Sequence, residues 1–306
     1  MNVVIPITVR AAQLTSSSIP YPDTGEAAYN AGTAYALGDT VAYTIDGLIH
    51  KFKSKQESNT GHTPEAYPNE NSWWLDLGAA NRFNMFQLER NTQSEGASPL
   101  VVQITPGQRF GAIGLGNIEA DSVRLQVYNG ASLIYDQTRD LIDRTVLSWY
   151  DYFYQPFRQI KNTLFTDLPI LTTAKAKLTF TRSSGNVKVG FVVMGVPFNL
   201  GKTENKVKAE ALNFSEIERD EFAEAKLTPR RDIPKTTQTV LIEREKLNQV
   251  RGTLSELNAK VALWHALSDP LLSYFDATFI IGVYKRRDID ISPKSHAYLN
   301  LELEQI

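Results

Sequence analysis

The sequence predicts a mainly β multidomain protein: a small three-stranded β module, a β-sandwich or jelly roll, and a C-terminal α+β domain with one main helix. Three observations carry this reading. Most apolar runs are of strand length and are separated by Gly, Asn, Asp and Pro, the punctuation of all-β folds. Only the stretch from Leu247 to Leu257 spaces its apolar residues by three and four, as a helix buried along one face does. A chain of 306 residues also exceeds what a single core usually organises.

Residues 1–23 open on NVVIPITV, a strand-like run, and pass into TSSSIPYPD, which has no periodicity. This reads as an extended N-terminal arm that orders against a partner subunit. Residues 24–80 read as the small β module. Its strands TVAYTI and LIHKFKS flank Asp46-Gly47, a strong hairpin signal because both residues tolerate positive φ. The turn-rich SNTGHTPEAYPNEN follows, and NSWWLDLG returns as a strand.

Residues 81–200 hold the larger β region. Candidate strands are PLVVQI, FGAIGL, SVRLQVYN, ASLIYDQ, TVLSWYDYFY, NTLFTDL, KAKLTFTR and VKVGFVVMG. Turns are expected at Pro106-Gly107, at Asn129-Gly130 and at Ser183-Ser184-Gly185-Asn186, the last closing a hairpin. Residues 201–306 change character. GKTENKVKAE reads as a charged switch segment and KTTQTVLI as a strand. A helix follows with Leu247, Val250, Leu254 and Leu257 on one face. KVALWHAL, ATFIIGVYKR and HAYLNLELEQI complete an α+β domain with one helix packed on a sheet.

Composition excludes several functions. A net charge of −2 gives no electrostatic case for nucleic acid or an anionic membrane. The basic clusters PRRD (229–232) and KRRD (285–288) are flanked by acids and read as local ion pairs. The chain has no cysteine, so disulfides and thiolate metal sites are ruled out. His50, His62, His265 and His296 stand apart from one another in sequence, so neither a metal nor a cofactor is expected. GFVVMGV and FIIGVY are too short to span a membrane, and MNVVIPITVR lacks the basic start of a signal peptide.

Catalytic motifs are not found. FGAIGLGN has the order G-x-x-G-x-G and leads into another strand, whereas a dinucleotide cradle leads into a helix. Its glycines read as easing a tight strand bend. Asp288 and Asp290 alternate along DIDIS and fall on one solvated face. Without a recognisable acid–base pair, the chain reads as not an enzyme.

The most aromatic stretch is WYDYFYQPF (149–157). Strand alternation would place Trp149, Asp151 and Phe153 on one face and Tyr150, Tyr152 and Tyr154 on the other. Such an edge could contact sugars. The preferred reading is a core on one face and a subunit interface formed by Tyr150, Tyr152 and Tyr154 on the other, since tyrosine is enriched at protein interfaces.

The block from Tyr29 to Gly78 resembles the chitin-binding type 3 module of carbohydrate-binding families 5 and 12. Tyr35, Gly38-Asp39, Val41, Tyr43, Gly47, Phe52, Gly61, Pro64 and Trp74 follow its order. The resemblance implies a small β fold and a carbohydrate site carried by Tyr35, Tyr43, Trp73 and Trp74. The chain departs from the family at KSKQESNT, where chitinase-linked modules usually carry an exposed tryptophan. One of Trp73 and Trp74 is expected to face outward.

The remainder resembles tail and baseplate proteins of tailed bacteriophages, through LTSSSIPYPD, NRFNMFQ, ASPLVVQITPG, SWYDYFYQPF and the final LNLELEQI. The central region is similar to a galactose-binding jelly roll, and the C-terminal strand–helix–strand unit to domains that dock on tail rings. The resemblance implies a virion structural protein, made in the host cytoplasm. Its partners would be other tail or baseplate proteins and its own copies, in a ring or trimer. The alternative it leaves is a receptor-recognition protein that binds a host surface glycan.

Overall fold

A computed structural model of the chain describes residues 1–306 apart from 24, 67, 68, 70, 89–91, 144–147, 156, 220, 273 and 294, and it does not describe the side chains of 205 and 206. Parts of the expected strand TVLSWYDYFY and of the expected loop 58–71 lie outside the described residues.

The first strands are β1 (Asn2–Pro6), β2 (Leu14–Ser17), β3 (Ala27–Ala28), β4 (Thr40–Ile45), β5 (Leu48–Ser54) and β6 (Trp74–Ala79). After the short helix α1 (Asn81–Asn84) come β7 (Ser94–Gly96), β8 (Leu100–Ile104), β9 (Ala112–Glu119), β10 (Ser122–Asn129), β11 (Ser132–Asp140) and β12 (Ile142–Asp143). Helix α2 (Trp149–Tyr154) precedes β13 (Arg158–Gln159), β14 (Thr163–Phe165), β15 (Ala174–Thr181) and β16 (Val187–Asn199). Then follow β17 (Lys202–Asn213), β18 (Glu216–Arg219), β19 (Ala225–Thr228), β20 (Asp232–Glu243) and helix α3 (Leu247–Glu256). The chain ends with β21 (Ala262–His265), α4 (Phe275–Thr278), β22 (Ile280–Asp290) and β23 (His296–Gln305).

These elements form a mainly β protein of two compact units. One contains Met1–Pro6, Leu164–Thr166 and Met194–Ile306; the other contains Ile7–Thr163 and Asp167–Val193. The first unit is therefore discontinuous in sequence, unlike the consecutive blocks expected above. Its sheet runs from the second half of β16 through β1, β21, β22, β23 and β20 to β17 at the edge. The expected N-terminal arm is thus a strand at its start: β1 lies between β16 and β21, with Val3 opposite both Phe198 and Trp264. Val3 and Val4 are fully buried, because an apolar run with a strand on each side loses little by pairing both edges.

The expected helix forms, and its apolar stripe is the reason. Val250, Leu254 and Leu257 are buried against Val240, Ile242, Trp264, Leu299, Leu301 and Leu303. Burying each leucine contributes roughly 1.5–3 kcal/mol relative to exposure. GKTENKVKAE is not a switch between elements: it is most of β17, which pairs with β20 at Lys202 and Thr203 and, after a shift in register, from Val207 to Asn213.

The second unit holds two sheet systems and the small module. One sheet has the order β11-β10-β15-β8-β2. The other places β9 beside β16, which β7 also joins. Alternate residues Leu100, Val102, Ile104, Val123, Leu125, Val127, Ala176, Leu178 and Phe180 are fully buried, the pattern of a sheet with one covered face. Asn129-Gly130 closes the β10–β11 hairpin as expected. Ser183-Ser184-Gly185-Asn186 does not close a hairpin: β15 belongs to the first of these sheets and β16 to the second. A glycine at positive φ serves a corner between sheets as well as a hairpin, so the local signal could not tell them apart.

The glycines of FGAIGLGN belong to a buried strand, β9. A Cβ at Gly116 would stand 2.0 Å from the Phe191 ring, so glycine there admits an aromatic side chain. The described α-helices other than α3 are four to six residues long.

Candidate functional site

The small module is a four-stranded sheet, β3-β4-β5-β6, with the short β3 parallel to β4 added to the three strands expected. Asp46 and Gly47 take φ of 49° and 81° and join β4 to β5 in register, Ile45 opposite Leu48. The Asp39 carboxylate accepts a bond from the Ala36 amide at 2.8 Å, and Gly38 takes φ of 93°. Gly38-Asp39 therefore makes the turn that the pattern implied.

The aromatic residues divide by burial. Trp74 is fully buried and Tyr35 nearly so; they pack with Val41 and Phe52, flanked by Tyr29, Tyr43, Ile45 and Trp73. Tyr35 and Trp74 rings meet edge to face at 5.3 Å between centroids, a geometry favoured by the ring quadrupole. The Trp74 indole N–H donates to the His62 carbonyl at 2.6 Å. Of the two residues expected on a sugar platform, Trp74 therefore has no exposed surface with which to stack on a ligand, and Tyr35 keeps 8% exposure. Tyr43 is half-buried against the same core.

Trp73 is the outward neighbour. It is half-buried, and His62 lies flat on its indole. The loop that brings His62 there is pinned by Asn59, which is fully buried. Asn59 Nδ2 donates to Ser54 Oγ at 3.1 Å, and its Oδ1 accepts from His62 Nδ1 at 3.2 Å. Asn59 and Tyr35 also exchange backbone bonds of 3.0 Å. On the other side, Asn71 Oδ1 accepts from the amides of both Trp73 and Trp74 at 3.0 Å. His62 carries no sequence signal, because nothing in its spacing from Trp73 marks a ring stack.

WYDYFY is helix α2 rather than a strand. Its aromatic content favours strands, but Ser148 caps it: the Ser148 hydroxyl accepts from the Asp151 amide at 3.1 Å. A serine cap with an acidic residue three positions on is a helix-start signature, and that acid also suits the positive end of the helix. The tyrosines consequently do not share one face. Tyr150 and Tyr154 rings meet at 5.1 Å, while Tyr152 contacts Trp149 and Phe153.

Helix α2 lies within a loop closed by a short ladder, with Ile142 opposite Gln159 and Asp143 opposite Arg158. The loop displays its aromatic residues: Trp149 is 80% exposed and Tyr150 and Tyr154 are each 71% exposed. Phe153 and Phe157 are exposed as well.

His265 is buried in the first unit. Burial pulls its pKa down to about 4, against the opposing effect of the Leu267 carbonyl 3.1 Å from Nδ1. Its Nε2 is buried and has no hydrogen-bond partner among the described residues. A neutral imidazole donating from Nδ1 fits these surroundings, which makes this a core residue of the first unit. His50 is likewise enclosed, with Nδ1 3.3 Å from the Asp76 carboxylate. Among the described residues no group of three His, Asp or Glu side chains is arranged to hold a metal ion. Nor is any helix among them long and apolar enough to cross a membrane.

Fold and surface together define a mainly β, multidomain protein that displays aromatic side chains on its second unit. No protein-family model matches the chain, and no curated protein shows significant similarity to it.

Proposed function

We propose that the chain is a structural component of a bacteriophage tail or baseplate, without enzymatic activity, that assembles with its own copies and with other virion proteins. The observation that carries this reading is the α2 loop, where Trp149, Tyr150, Phe153 and Tyr154 stand in solvent. Surfaces of this composition supply the anchors of protein–protein interfaces. The sequence resemblance to tail proteins supplies the kind of assembly, and closed symmetric oligomers are the common outcome of such contacts.

The test is the composition of the particle. Phage particles purified by density gradient from cells carrying the gene are digested and analysed by quantitative mass spectrometry. Peptides of this chain should co-purify at a fixed ratio to the other tail proteins. Recovery solely in the soluble fraction would overturn the proposal.

A second reading has one observation in its favour. Trp73 offers a half-buried indole on the surface of a module that resembles carbohydrate-binding proteins. Here the small module binds bacterial surface glycan, and the chain takes part in receptor recognition. Saturable binding on a bacterial glycan array supports that reading; silence across a broad panel removes it.

A further inference from the structure

Strand β17 is the outermost strand of the first unit's sheet: β20 pairs along one of its edges, and the strand order ends at the other. Such an edge presents a row of backbone N–H and C=O groups that another extended chain can pair. Register divides β17 in two. Between Thr203 and Val207 the pairing with β20 shifts, whereas from Val207 to Asn213 it runs without interruption, opposite Gln238 to Asp232. That regular stretch has no proline or glycine, and its residues from Lys208 onward are exposed.

The register also fixes which side chains share a face. Val207, Ala209 and Ala211 stand opposite Gln238, Thr236 and Pro234, and Gln238 and Thr236 are buried. Lys208 and Glu210 stand opposite Thr237 and Lys235, on the other face of the sheet. Lys208 thus has no acid opposite it in β20, and the Lys235 that Glu210 faces is already held by Glu302. The segment reads Val-Lys-Ala-Glu-Ala. Small apolar residues line one face, and one base and one acid line the other, placed symmetrically about Ala209.

We infer that the free edge of β17 pairs with the same edge of a second copy, antiparallel, with the two-fold axis at Ala209. In this register Lys208 of each copy lies directly opposite Glu210 of the other, Ala209 meets its own copy, and Val207 meets Ala211. Side chains directly opposite in an antiparallel pair stand about 4.5–5.5 Å apart, so two ion pairs form on one face and small residues meet on the other. Charge disfavours the neighbouring registers. An axis at Lys208 sets lysine on lysine, and an axis at Glu210 sets glutamate on glutamate. A lysine on an edge ordinarily discourages pairing; here the acid two residues on turns it into a lock on one register. The reciprocal Lys–Glu order is met in full by the strand itself, which makes a second copy the occupant and the contact isologous. This contact goes beyond the tail-assembly reading above and does not depend on it.

The test uses the full-length chain in solution. Wild type should sediment as a pair or a multiple of pairs across a series reaching about 100 μM. Lys208→Glu sets acid against acid at both crossings and Glu210→Lys sets base against base, so each should raise Kd about tenfold or more. The exchange K208E/E210K rebuilds both ion pairs and should restore wild-type pairing. An equimolar mixture of the two single variants should form a mixed pair for the same reason. Circular dichroism checks that each variant is folded. Since the chain has no cysteine, a single thiol reads the register. A209C should be crosslinked to its own copy by a short bismaleimide, whereas N213C, about 27 Å from its copy in this register, should not. A wild type that stays monomeric throughout overturns the inference. So does pairing indifferent to both single charge reversals, an exchange that fails to restore it, or crosslinking of N213C in preference to A209C. Because these readouts need no phage particle, their failure is distinct from absence of the chain from virions.

Discussion

The His62 imidazole lies against the Trp73 indole with ring centroids 3.7 Å apart and planes 11° apart. The contact covers one face of the only member of the Trp73-Trp74 pair that reaches solvent, and it holds the ring in one orientation. A preset aromatic surface suits stacking on a sugar, because little side-chain freedom remains to be lost on binding.

The two tryptophans should therefore separate in mutagenesis. Trp74→Ala removes a fully buried ring and the bond to the His62 carbonyl, with an expected loss of about 3–5 kcal/mol. Trp73→Ala should cost far less stability. If the module binds glycan, Trp73→Ala abolishes the array signal in a protein that still unfolds near the wild-type midpoint. Retention of the signal in that variant would remove Trp73 from any glycan site.

Helix α2 should tolerate polar substitution on its own. Replacing Trp149, Tyr150 and Phe153 by serine, singly, exposes no core, so each should change stability by about 0.5 kcal/mol or less. The same changes should reduce incorporation into purified particles, measured by mass spectrometry against wild type. Equal incorporation of a triple variant would show that the aromatic loop is not an assembly surface.

His265 gives the first unit a pH dependence. Burial lowers its pKa from 6.5 to about 4, so the unfolded chain binds this proton where the folded chain does not. Its contribution to stability is full above about pH 6.5 and is lost as pH falls toward 4, amounting to about 3 kcal/mol. Urea unfolding of wild type and His265→Asn at pH 7, 5 and 4 checks this. The wild type should lose stability relative to the variant on acidification; a constant difference across the three pH values would contradict the assignment.

Gly282 should resist enlargement. A Cβ there would stand 1.9 Å from the Glu304 carbonyl oxygen, and the Gly282 carbonyl accepts from the Trp264 indole N–H at 3.1 Å. Gly282→Ala must therefore push β22 from β23 and disturb a buried bond, costing about 1–3 kcal/mol or more. Denaturation followed by tryptophan fluorescence reads this out, and an unchanged midpoint would contradict it.

Local signals in the sequence reported local structure well. Asp46-Gly47 specified a tight hairpin, and the spacing of Leu247, Val250, Leu254 and Leu257 specified a helix with one buried face, because in both cases the determinant lies within a few residues. Partners distant in sequence left no such mark. Nothing in NVVIPITV announces that Val3 will lie between Phe198 and Trp264, and nothing in Ser183–Asn186 tells a hairpin from a passage between sheets. WYDYFY misleads for a different reason: its aromatic composition favours a strand, and the Ser148 cap decides for a helix. The aromatic order of the small module pointed to its core, and the loop that sets His62 on Trp73 emerged only with the side chains in place.

The central claim is that the chain is built into a phage tail or baseplate. A density map of the purified particle tests it most directly. The expected result is density in the tail or baseplate that accepts both compact units of this chain, repeated by the symmetry of the assembly, with the α2 loop against a neighbouring protein. A map that accounts for all tail and baseplate density with other proteins would contradict it.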